Sequence, residues 1–82
     1  MGTILIAFDS TQQAIRAEAL LEYADIDIDT RPTPRQVTAG CALSIEFPAE
    51  DLGKAEKIIR EGSVEIRGLF RKEGELYIQL DI

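Results

Sequence analysis

Thr3 to Phe8 is a continuous apolar run of strand length, which suits a strand buried on both faces. Asp9-Ser10 ends it. Ser10 is a good helix N-cap, and Gln13 stands three residues later, as in a capping box. Ala14, Ala17, Leu20, Leu21 and Ala24 recur at helical spacing, so a helix is predicted over Thr11 to Ala24, with Arg16, Glu18 and Glu22 on its wet face. Asp25 to Thr30 then alternates: Ile26, Ile28 and Thr30 face one way, Asp25, Asp27 and Asp29 the other. That is a half-buried strand, and its aspartates mark it as an edge. Arg31-Pro32-Thr33-Pro34-Arg35 is a poor strand interior, because proline fixes φ and removes a donor, so Arg31 to Gly40 is predicted as a loop.

Leu43, Ile45 and Phe47 alternate with Ala42, Ser44 and Glu46 and predict a third strand, with Cys41 at its start. Pro48-Ala49-Glu50-Asp51 opens a second helix, where proline and acidic residues suit the first turn. Its core stripe is Leu52, Ala55, Ile58 and Ile59, Gly62 is its predicted C′ residue, and Glu56 and Arg60 form an i, i+4 pair. Ser63 to Arg71 is a fourth strand. Glu73-Gly74 is a turn signal, and Leu76, Ile78, Leu80 and Ile82 alternate with Tyr77, Gln79 and Asp81 to complete a hairpin.

The order β-α-β-β-α-β-β predicts a single α+β domain over residues 1–82. It is a ferredoxin-like βαββαβ two-layer sandwich with an added C-terminal strand forming a hairpin. The expected strand order is 4-1-3-2, with strands one and three as central, parallel-running neighbours and strand five beside strand four. The competing topology pairs the C-terminal hairpin with a second chain.

The chain of 82 residues carries nine basic and fifteen acidic residues, a net charge of −6. That balance argues against nucleic acid and anionic membrane and favours solubility. No apolar run approaches the roughly 18 residues a membrane span needs. The N-terminus lacks the basic region of a signal peptide. A single cysteine forms no internal disulfide, so a reducing, cytoplasmic setting is expected.

Candidate chemistry narrows to Cys41. With no histidine in the chain, a cysteine hydrolase lacks its usual base, and zinc lacks a tetrahedral donor set. No metal or cofactor is expected. The aspartates of Asp25 to Asp29 superficially resemble a calcium loop, but Thr30 and Gln36 stand where a glycine and a bidentate glutamate belong. Glu50 and Asp51 are explained by helix-start chemistry rather than acid–base work. Gly68 suggests a bulge or close packing.

For Cys41 two readings compete. In the first it is an accessible thiol whose anion is supported by Arg31 and Arg35, with Gly40 permitting a turn or close approach and Ser44 or Thr38 adding hydrogen bonds. In the second it is a small buried apolar side chain. Leu43, Ile45 and Phe47 share its strand parity, and that register carried back to Cys41 turns the thiol inward.

Phe8-Asp9-Ser10-Thr11, Ala17-Glu18, Leu20-Leu21, Arg31-Pro32-Thr33-Pro34-Arg35, Cys41 with Leu43-Ser44-Ile45, and Phe47-Pro48-Ala49-Glu50-Asp51 together resemble a small bacterial family. This is the selenium/sulfur carrier-like domain, a domain of unknown function. The Pro-Thr-Pro-Arg stretch followed by the cysteine is its specific part, and the resemblance covers about residues 4–71. The family usually places glycine directly after the cysteine; here Ala42 stands there and Gly40 precedes. The resemblance implies a non-enzymatic role in sulfur transfer or selenium metabolism, with Cys41 taking a persulfide sulfur or selenium from a donor enzyme such as a cysteine desulfurase. The alternatives are a ligand- or protein-binding regulatory module that self-associates as a homodimer through its sheet, with Phe70, Tyr77 and the hairpin at the surface, and a redox sensor pairing Cys41 between two chains. An outright enzyme is the least favoured class.

Overall fold

The computed structural model describes residues 2–80, so the alternation expected at Asp81 and Ile82 lies outside the described residues. It is a mixed α+β fold of two helices and one five-stranded antiparallel sheet. The elements are β1 (Thr3–Ala7), α1 (Thr11–Tyr23), β2 (Asp29–Pro32), β3 (Leu43–Pro48), a 3-10 turn (Ala49–Asp51), α2 (Leu52–Glu61), β4 (Gly68–Glu73) and β5 (Leu76–Gln79). The sheet order is β2-β3-β1-β4-β5, which is 5-4-1-3-2 from the other edge. The expected parallel relation of strands one and three is corrected: β1 and β3 pair antiparallel, Ile4 opposite Phe47 and Ile6 opposite Ile45. Each helical crossover here skips one strand, so sheet neighbours alternate in direction.

Period two in β1 and β3 sends Ile4, Ile6, Ile45 and Phe47 to one face. There Ala14, Ala17 and Leu21 of α1 and Ala55 and Ile59 of α2 join them with Phe8 and Leu69 in one buried cluster. Burying each large member contributes about 1.5–3 kcal/mol relative to exposure. Leu20, Leu52 and Ile58 flank this cluster, as their helical spacing predicted. On the opposite, open face Leu5 and Ala7 are covered by Val37 from the 33–42 loop, with Phe70 and Tyr77 beside them.

Several boundaries move from the sequence expectation, each for a local reason. The helix α1 stops at Tyr23, and Asp25 turns left-handed at φ 63° while the Ile26 N–H closes on the Leu21 carbonyl. The strand β2 therefore starts at Asp29 and takes in Arg31 and Pro32, assigned above to the loop. An edge strand tolerates proline because one side of it needs no donor. Ser10 is the α1 N-cap but makes no side-chain cap bond, and the Gln13 Oε1 instead accepts the Glu65 N–H at 3.1 Å. Pro48 ends β3 rather than opening α2. Past α2 the left-handed residue is Ser63, not Gly62. Gly62 sits close to α1: a Cβ there would lie 2.7 Å from Leu20 Cδ1, and the leucine side chain would have to move. The bond of Glu65 to Gln13 draws that backbone off the sheet, and β4 begins at Gly68 rather than Ser63. The last hairpin closes Glu73 on Leu76 around Gly74, whose φ of 62° suits the first central position of a two-residue turn.

Candidate functional site

The chain leaves β2 through Thr33, and Thr33 ties the loop shut at its base. Its N–H donates to the Ala42 carbonyl at 2.8 Å and its hydroxyl to the Cys41 carbonyl at 2.9 Å. A threonine hydroxyl has one proton, so in the 2.7 Å contact between Thr33 Oγ1 and Ser44 Oγ the serine is the donor. Ser44 is fully buried, and Thr33 satisfies it. Between these ends the Val37 N–H turns back to the Pro34 carbonyl at 3.0 Å, and Val37 seats on Leu5 and Ala7.

The far end of the loop docks on the segment joining β1 to α1. Asp9 Oδ1 accepts the Gly40 N–H at 2.9 Å, and the Phe8 carbonyl accepts the Cys41 N–H at 3.0 Å. A Cβ on Gly40 would stand 2.9 Å from the Asp9 carbonyl oxygen, so only glycine allows this approach. The other Asp9 oxygen lies 3.6 Å from Arg67 Nη1.

These anchors place the Cys41 sulfur. Cys41 is 5% exposed and belongs to the helix-side core, as its parity with Ile45 and Phe47 implied. The sulfur nonetheless has polar neighbours. The Leu43 N–H donates to Sγ at 3.3 Å, and Thr11 Oγ1 lies 3.5 Å away. Thr11 is the first residue of α1, so Sγ lies beside the helix end that carries partial positive charge. Both features are kinder to an anionic sulfur than the aliphatic wall behind it.

Of the residues proposed from sequence to support the thiolate, Gly40 is adjacent through Asp9, while Arg31 and Ser44 are engaged elsewhere. Arg31 lies on edge strand β2, 3.8 Å from Glu46 Oε1 and 4.0 Å from Asp29 Oδ2. Arg35 and Thr38 are exposed on the loop. Ser44 sits on the opposite sheet face from the thiol and bonds Thr33. Thr11, Asp9 and Arg67 escaped the site prediction because they come from distant parts of the chain, and Thr33 because its hydroxyl meets the Cys41 carbonyl and Ser44 only once the loop folds back. Among the described residues no group of three or more acidic, histidine or cysteine side chains is arranged to hold a metal, and no helix is long and apolar enough to cross a membrane.

The family described as "Putative Se/S carrier protein-like" matches residues 3–71. That span runs from the start of β1 into β4 and includes every residue around the sulfur; β5 lies outside it. No curated protein and no solved structure matches the chain.

Proposed function

The chain belongs to the Se/S carrier protein-like family, and from that premise we propose that Cys41 is a carrier thiol for sulfane sulfur or selenium, with no catalysis of its own. One observation carries the reading. Two of the segments that carry the family resemblance, Phe8 to Thr11 and Arg31 to Arg35, converge on the Gly40–Ser44 turn, and the sulfur sits there against a backbone N–H and the start of α1. Of these bonds, the Leu43 N–H and the Thr11 hydroxyl meet the sulfur itself.

The proposed loading step is a thiol–persulfide exchange. The Cys41 thiolate attacks the outer sulfur of a donor persulfide, R–S–SH; the donor S–S bond breaks, a Cys41–S–SH bond forms, and R–S⁻ leaves. Atoms, charge and oxidation state balance, and selenium follows the same course from R–S–SeH. The Leu43 N–H supports the Cys41 thiolate before it attacks. Because Cys41 is 5% exposed, loading requires the turn to lift from Asp9 and Thr11. Arg35, exposed on the loop, is assigned to docking of an acidic donor enzyme rather than to the sulfur. The same reading takes the sheet and its helices as a ferredoxin-like split β-α-β sandwich. Antiparallel pairing and two helices on one face support it, and the five-strand order differs from the four-strand pattern by the added β5.

The test is mass spectrometry after incubation with a cysteine desulfurase and cysteine. One added sulfur on Cys41, removed by reductant and absent in Cys41→Ser, is expected. If the thiol stays unmodified even in a Thr33→Val chain whose Cys41 alkylates freely, the sulfur-carrier reading fails.

A further inference from the structure

The two edges of the sheet are built to opposite rules. β2 carries Asp29, Arg31 and Pro32, each a device that discourages pairing with another chain. β5 reads Leu76-Tyr77-Ile78-Gln79, with Leu80 next, and has neither charge nor proline. Leu76 and Ile78 are 66% and 49% exposed. They lie on the helix side of the sheet by their pairing with Glu73 and Arg71.

The backbone of this edge is open in a defined phase. The Leu80 N–H bonds the Leu69 carbonyl at 2.8 Å, and Glu73 closes the hairpin on Leu76. Period two then directs the main-chain groups of Leu76, Ile78 and Leu80 toward β4, and those of Tyr77 and Gln79 outward. We propose that β5 pairs antiparallel with β5 of a second copy about a two-fold axis at Ile78, joining two sheets into one of ten strands. In that register Tyr77 of each copy exchanges both main-chain bonds with Gln79 of the other. Ile78 meets its own counterpart in a close, non-hydrogen-bonded pair, and Leu76 meets Leu80. All outward donors and acceptors of the strand are used, and the helix-side seam is wholly aliphatic.

The absence of charge leaves this edge open to a second copy. Chains of net charge −6 repel over most of their surface, and the 76–80 strand is a place where two copies meet without like charges opposed. A two-fold axis makes one strand its own complement, whereas a different partner would have to supply the same phase and apolar spacing. Two such short strands bury less than the roughly 1,200 Å² of a standard interface, so the dimer is weak and concentration-dependent.

Light scattering over a concentration series tests this, expecting a mass that climbs from the 9.1 kDa of one chain toward twice that value. Tyr77→Pro removes an outward N–H without touching β4, and should restore the monomer with an unchanged circular dichroism spectrum. In a Cys41→Ser background, Ile78→Cys should form a covalent dimer on mild oxidation, while Leu76→Cys, equally on the seam but opposite Leu80, should stay monomeric. A monomer at every concentration, or equal cross-linking at both positions, overturns the proposal. The cross-linking pattern decides the matter even if Tyr77→Pro misfolds, and it is independent of any cargo on Cys41.

Discussion

The two faces of the sheet are held by different means. The helix face is closed by two amphipathic helices whose apolar stripes form one continuous core with Ile4, Ile6, Phe8, Ile45 and Phe47. The open face is closed over Leu5 and Ala7 by a single irregular loop, seated by Val37 and pinned by Thr33. Removing one side chain from the first weakens a redundant apolar cluster. Removing one from the second loosens a segment held by a few separate hydrogen bonds and one apolar contact, and that segment ends at the Cys41 sulfur.

Substitutions on each face sharpen this contrast. Phe8→Ala, in the helix-side core, should cost about 3–5 kcal/mol in urea unfolding, the largest effect expected. A loss below about 1 kcal/mol would mean the core does not centre on β1. Thr33→Val should cost about 1–3 kcal/mol, because the buried Ser44 hydroxyl loses its partner. It should also raise the alkylation rate of Cys41 by loosening the base of the turn. Adding Ser44→Ala should recover the part that comes from the unpartnered serine, while the Cys41 carbonyl still lacks the Thr33 hydroxyl. Val37→Ala, with two fewer buried methyl groups, should cost about 1.6 kcal/mol and raise hydrogen exchange in the loop more than in either helix. Equal protection changes on both faces would abolish the distinction. Arg31→Ala should cost under about 0.5 kcal/mol, as exposed ion pairs do, and leave Cys41 alkylation unchanged. A marked fall in that rate would return Arg31 to the sulfur.

Much of the helix face was legible along the chain. Ala14, Ala17 and Leu21 lie where their spacing put them, as do Ala55 and Ile59, because a periodic stripe has one way to hide. The same logic, carried back along β3, offered an inward Cys41 as one of two open readings, and the structure places the residue in the core. Placement of β2 was less legible. Ile26 and Ile28 alternate with aspartates, yet Asp25 and Ile26 are spent on ending α1 and the strand slides to Asp29–Pro32. The site was legible only in its central residue and in Gly40. Arginines near Cys41 in sequence looked like its partners, but strand pairing turns Arg31 toward Glu46, while Asp9 and Thr11 arrive from some thirty positions away.

Sequence alone determined that this chain has one thiol with chemistry to offer, a charged strand at one edge of the sheet and a C-terminal hairpin at the other, because these follow from residue type and periodicity. The tertiary structure decided what surrounds the thiol. The Gly40–Asp9 approach, the Thr33–Ser44 pair and the start of α1 beside Sγ exist only once β1 and β3 are side by side. Hydrogen bonds to a turn depend on which strands become neighbours, and no local pattern encodes that.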